Sequence, residues 1–182
     1  MPHLLQPHPS TSRRAVTGIE VEAVRTGPCS LTLDYVISGA IEELLLPSPV
    51  VPARGGELWK HTCLELFVRA AGQAYYELNF SPSELWAAYH FDGYRGAVRD
   101  PAMVPPRIVR SANPISFELA VALDLSHFSD LPADAPWRIG LSAVIEQKDG
   151  RVGYWALAHP PGKPDFHHDR CFALELPAAG GA

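Results

Sequence analysis

Apolar and polar residues alternate with a period of two through segment after segment of this 182-residue chain. That period belongs to a strand with one buried face. Leu31, Leu33, Tyr35 and Ile37 share one side, while Thr32, Asp34 and Val36 share the other. Comparable sets are Leu64, Leu66 and Val68; Tyr76, Leu78 and Phe80; Leu85, Ala87, Tyr89 and Phe91; and Phe117, Leu119, Val121 and Leu123. Further strands are expected over 18–24, 107–110, 137–146, 152–157 and 171–176. The 18 prolines and 14 glycines fall between the runs, so each run ends after a few residues. The one helical turn expected starts at Asp124, which can cap residues 125–128. Many short strands with minimal helix predict an all-β fold, a two-sheet antiparallel β-sandwich of immunoglobulin or jelly-roll type.

Residues 1–14 carry no periodicity and predict a flexible leader; 15–176 form the expected single sandwich domain, and 177–182 a short tail. With 15 basic and 20 acidic side chains, the net charge of −5 argues against nucleic acid or an anionic membrane as partner. Three scattered cysteines, Cys29, Cys63 and Cys171, suit free thiols in a reducing compartment. The opening segment lacks the apolar stretch of a secretory signal, and no run reaches membrane-spanning length, so a soluble cytoplasmic protein is expected. The sequence leaves the oligomeric state open.

The most informative stretch joins two strands through the small turn Ala70-Ala71-Gly72-Gln73. For their apolar faces to meet, paired residue numbers must sum to an even value near 142 or 144. Cys63, Glu65 and Phe67 then share the opposite face with Tyr75, Glu77 and Asn79. Two carboxylates placed as near neighbours repel by about 0.2–1 kcal/mol, which invites a cation, a shared proton, an arginine or a ligand hydroxyl between them. Arg95 and Arg99 are available. A solvated sheet face that merely screens the pair is the plain alternative. Trp59, Tyr75, Trp86 and His90 could add flat rings to this face, and rings mixed with hydrogen-bonding groups suit a sugar.

The run Leu58-Trp59-Lys60-His61-Thr62-Cys63-Leu64-Glu65-Leu66-Phe67, followed by Tyr75-Tyr76-Glu77-Leu78-Asn79-Phe80-Ser81-Pro82, resembles DOMON-like domains and the related family 9 carbohydrate-binding modules. Tyr154-Trp155-Ala156-Leu157, Pro164-Asp165-Phe166-His167 and Phe172-Ala173-Leu174-Glu175-Leu176 look like the closing strands and loop of that group. The resemblance covers 16–176 and implies a β-sandwich that holds a sugar between two aromatic rings, fixed by charged side chains. Trp59 matches the first ring and Glu65 a sugar-contacting acid. The second ring falls to Phe166, His167 or Trp155, and Glu77 stands where those modules carry an arginine. The expected function is therefore non-catalytic binding of a saccharide or sugar-containing metabolite. In it Trp59 and Phe166 or Trp155 stack on the ligand, Glu65, Glu77 and Asn79 hydrogen-bond it, and Arg95 neutralises the acids.

The same residues admit other chemistries. DOMON-type domains also hold haem between a Met and a His, which here would pair Met103 with His90, His159 or His167; Met103 as a loop anchor is the simpler reading. The loop 159–169 gathers imidazoles and carboxylates, but adjacent His167 and His168 diverge if extended. Asp92, Asp100, Asp165 and Asp169 are too dispersed to nominate a calcium site, and no cofactor is expected. Glu65 and Glu77 invite comparison with the paired acids of glycoside hydrolases. No nucleophile elbow or phosphate-binding loop accompanies them, which leaves catalysis, including by Cys63 or Cys171, as the lesser reading.

Overall fold

Strand propensity and the period-two pattern resolve into two antiparallel sheets packed face to face. The computed structural model describes residues 1–12 and 15–179. In chain order the strands are β1 (His3–Leu4), β2 (Gln6–Pro7), β3 (Val16–Arg25), β4 (Ser30–Gly39), β5 (Cys63–Arg69), β6 (Tyr75–Phe80) and β7 (Trp86–Phe91). They continue as β8 (Val98–Arg99), β9 (Arg107–Asn113), β10 (Ser116–Asp124), β11 (Trp137–Glu146), β12 (Val152–Ala156) and β13 (Leu174–Leu176). The smaller sheet runs β1-β3-β4-β10-β9, and the larger β2-β12-β11-β5-β6-β7-β8, with β13 also on β11.

The core lies between the sheets. Leu31, Leu33, Tyr35 and Ile37 of β4, and Phe117, Leu119, Val121 and Leu123 of β10, meet Leu64, Leu66 and Val68 of β5 and Tyr76, Leu78 and Phe80 of β6. The β5–β6 register pairs Leu66 with Leu78 and Leu64 with Phe80, in the even-sum phase that the apolar faces demand. At Asp124 the carboxylate accepts the Ser126 N–H at 2.9 Å, but the chain makes successive turns through Leu125, Phe128 and Leu131 rather than a helix. The expected strand over 171–176 is shortened to 174–176. Residues Asp169–Cys171 wind into a single 3-10 turn, capped where the His168 ring accepts the Arg170 N–H.

The first dozen residues depart from the expected flexible leader. His3 and Leu4 pair with Val21 and Glu20 of the small sheet, and Gln6 and Pro7 with Ala156 and Trp155 of the large one. Leu5, between them, is buried in the core. His8 is buried as well: its Nδ1 accepts the Ser10 N–H at 3.2 Å, and its Nε2 lies 3.0 Å from the Gly162 carbonyl. Sequence periodicity cannot show this because two-residue strands contain no repeat. Arg13 and Arg14 of the expected leader and Gly180, Gly181 and Ala182 of the expected tail lie outside the described residues. Cys63 and Cys171 are buried free thiols and Cys29 a partly buried one. Among the described residues, no helix is long and apolar enough to cross a membrane.

Leu5→Ala, which opens a cavity at the point where the segment passes from one sheet to the other, should lower unfolding stability by about 2–4 kcal/mol in urea titration. An unchanged midpoint would show that the segment contributes nothing to the core.

Candidate functional site

Strands β5 and β6 are buried along their whole length, so the face of the large sheet turned away from the core is covered too. Side chains of alternate parity occupy it: Glu65 and Phe67 of β5, Tyr75 and Glu77 of β6, Tyr89 and Phe91 of β7, Val144 of β11, and Val152 and Tyr154 of β12. Glu65 pairs with Asn79 and Phe67 with Glu77, which sets the two acids on a diagonal across adjacent strands. Loops roof the face and leave a cavity of about 1060 Å³, whose lining adds Trp59, Arg95, Arg99, Phe166 and His167 to the strand residues. That volume slightly exceeds the roughly 300–1,000 Å³ usual for small-molecule sites.

The two carboxyls are nearly inaccessible, at 2% and 5% exposure. Burial raises both above the ordinary carboxylate range, and for Glu65 the charge of Glu77 adds to the effect. Opposing this, Ser142 Oγ donates to Glu65 Oε2 at 2.9 Å and Asn79 Nδ2 to Glu77 Oε1 at 2.9 Å. The Arg95 charge also draws Glu77 down. The pair therefore retains protons at pH values where exposed glutamates have lost them.

A hydrogen-bonded chain enters from the side. The Arg95 N–H donates to Tyr75 Oη at 3.3 Å, and Tyr75 Oη lies 2.8 Å from His167 Nδ1. With the phenol accepting from Arg95 and donating to Nδ1, the remaining proton of the imidazole sits on Nε2, 3.7 Å from Glu77 Oε2. Burial, reinforced by Arg95 and opposed by Asp165, pushes His167 down to about 4, so the ring is neutral. Arg95 has a positive φ of 49° and spends its guanidinium on Asp165 at 2.8 Å; Asp165 also accepts from the Tyr94 hydroxyl.

Of the residues the sequence nominates, Trp59, Glu65, Glu77, Arg95, Phe166 and His167 line the one cavity. Trp59 follows Glu57, whose left-handed backbone (φ 53°) opens a 3-10 turn that leaves the indole 47% exposed at the mouth. Asn79 is fully buried beside Glu77 and orients it from outside the lining. Trp155 is a correction: β12 turns Val152 and Tyr154 to the cavity, so Trp155, one residue out of phase, packs in the intersheet core. Trp86 packs in the core, and His90 is turned to that same side, opposite the acids, against Tyr76, with Nε2 2.7 Å from Asp130 Oδ2. Arg95 lies in the cavity but is ion-paired to Asp165 rather than to the acid pair. Sequence reasoning overlooked Tyr89, Phe91 and Tyr154 as cavity walls. Met103 packs against the core. Among the described residues no three His, Cys, Asp or Glu side chains converge so as to hold a metal ion.

No family profile and no curated protein matches the sequence. Solved structures do share the fold. A candidate carbohydrate-binding protein from Bacteroides uniformis ATCC 8492 superposes with a TM-score of 0.60 at 16% identity, over 85% of this chain and 75% of its own. A family 9 carbohydrate-binding module from Caldicellulosiruptor kristjanssonii, solved with cellotriose, superposes with a TM-score of 0.53 at 9% identity, over 89% of this chain and 74% of its own. The chain thus shares the fold of a family 9 carbohydrate-binding module.

Because folding raises the proton affinity of Glu65, its contribution favours the folded state below the ordinary value of 4.5 and is lost as pH climbs through the raised one. Glu65→Gln, which keeps an acceptor for Ser142 but cannot ionise, should match the parent protein in melting temperature at about pH 4 and exceed it at about pH 9. Parallel melting curves across that range would contradict the assignment of a buried, proton-retaining acid.

Proposed function

We propose that this chain is a non-catalytic carbohydrate-binding module and that the cavity over the large sheet is its binding site. The observation that carries the reading is the lining itself. An exposed indole stands at the mouth, Tyr89, Phe91, Tyr154 and Phe166 form apolar walls, and Glu65, Glu77 and Arg95 bring hydrogen-bonding groups to the same space. Sugar rings present C–H faces that pack on aromatic rings and a rim of hydroxyls that need donors and acceptors together. Trp59 is the stacking platform, Phe166 supplies a second ring, and Glu65, Glu77 and His167 read hydroxyls. Asn79 and Tyr75 hold Glu77 and His167 in place. The fold shared with a module solved with cellotriose supports the choice of ligand class.

The electrostatics favour binding over hydrolysis. Glycoside hydrolysis with two acids needs environments that push them apart, one protonated and one ionised. Here burial moves Glu65 and Glu77 in the same direction, toward the neutral form.

Isothermal titration with a panel of soluble oligosaccharides that includes cellotriose should show binding, and Trp59→Ala should weaken it by about 1 kcal/mol or more, roughly fivefold. Equal affinity in the variant would remove Trp59 from the site. Turnover of aryl glycosides, abolished by Glu65→Gln, would overturn the non-catalytic reading.

A further inference from the structure

The charges around the cavity are unevenly matched. At the rim, Lys60 Nζ pairs with Glu57 at 2.7 Å, Arg95 with Asp165 at 2.8 Å and Asp100 with Arg54 at 4.0 Å, while the Arg99 guanidinium lies 3.4 Å from the His90 ring. On the floor, no lysine or arginine nitrogen of the described residues pairs with Glu65 or Glu77. Each carboxyl has one oxygen engaged, on Ser142 and on Asn79 respectively. The second oxygen of Glu77 has only the long approach of the neutral His167 ring, and that of Glu65 has no hydrogen bond among the described residues. Two acids on a diagonal, in a cavity walled by aromatic rings, have no lysine or arginine in ion-pair contact among the described residues; Arg95 acts on Glu77 only from longer range.

We propose that the ligand of this cavity is a saccharide bearing a free ammonium group, a 2-amino-2-deoxyhexose or its oligomer, with the ammonium seated between Glu65 and Glu77. The proposal rests on the carbohydrate-binding reading above and specifies its ligand. An ammonium brings three N–H donors, enough for the two unengaged carboxyl oxygens, while ring faces favour both the adjacent positive charge and the sugar C–H groups. A hard divalent cation is a poorer occupant because it asks for six or more oxygens and only two carboxyls converge. A quaternary ammonium fits the rings but offers the acids no donor.

Binding has a proton balance. The ammonium arrives already charged and keeps its protons, a carboxyl of the pair ionises to meet it, and the carboxyl proton passes to the buffer. The other titratable groups on this face are Cys63, Tyr75 and Tyr89, all raised by burial, with Tyr154 on β12, neutral His167 and charged Arg95 from the loops, and Glu57, Lys60, Arg99 and Asp100 at the rim. Tyr35, also raised by burial, approaches Glu65 from the core side through the Glu65 backbone carbonyl. The raised thiol and phenols stay protonated at neutral pH, so the released proton comes from Glu65 or Glu77.

The test is calorimetry of the full chain at about pH 6, where an amino sugar is protonated, with glucosamine trimer, its fully N-acetylated counterpart and cellotriose. The glucosamine trimer should bind about tenfold or more tighter than either neutral trimer. Its enthalpy should depend on the ionisation heat of the buffer with the sign of proton release. In Glu65→Gln and Glu77→Gln the amine-to-neutral affinity ratio should collapse toward one, whatever the absolute affinities. Equal binding of all three trimers, or a preference that survives both substitutions or lacks proton release, would overturn the ammonium proposal and leave the carbohydrate reading standing. Failure of all three trimers to bind would overturn both.

Discussion

The pairing of Leu66 with Leu78 decides what the large sheet shows to each side. A slip of one residue would carry Glu65 and Glu77 into the intersheet core and turn leucines into the cavity, because successive side chains alternate between faces. The leucines resist that slip. They are fully buried against β4 and β10, and exposing them would forfeit roughly 1.5–3 kcal/mol for each side chain. The chemistry of the outer face is thus held in place by hydrocarbon packing on the inner one.

Holding two acids in that position has an energetic consequence that the surroundings only partly offset. Single donors from Ser142 and Asn79 stabilise each carboxyl without neutralising it, and the nearby guanidinium of Arg95 is committed to Asp165. A well-packed apolar pair at the same positions would be the more stable solution. Local cost of this kind concentrates at sites kept for recognition, where a partner supplies what the isolated fold lacks. The Arg95-Tyr75-His167 chain serves the same arrangement by fixing the imidazole tautomer through backbone and phenol instead of through a free charge.

Alternation was a dependable guide where one face is buried and the other wet, as in β4 and β10, whose inward residues were all identifiable. It failed where both faces are covered. In β7, Ala87, Tyr89 and Phe91 form the more apolar set, yet Trp86 and Ala88 are the ones that enter the core, with His90 on their side. The same ambiguity misplaced Trp155, since Tyr154 beside it is an equally plausible ring. Glu65, Glu77 and Trp59 were legible because charge on a strand and a tryptophan before it stand out from their neighbours. The ion pair that binds Arg95 to Asp165 was not, because seventy positions separate its members and no local pattern links them.

The N-terminal segment touches both sheets and, through His8, grips the loop at Gly162 that leads to Phe166 and His167. His3 and Leu4 need only the nearby β3, but Gln6, Pro7 and His8 can take up their places only once β12 and that loop have been synthesised. One wall of the cavity therefore reaches its final form late, by closure of a loop of about 150 residues, the slowest kind of contact for a chain to find. During biosynthesis the N-terminal segment emerges first but finds its partners on β12 and at Gly162 only when the last quarter of the chain has followed, so until then the hollow lacks that support.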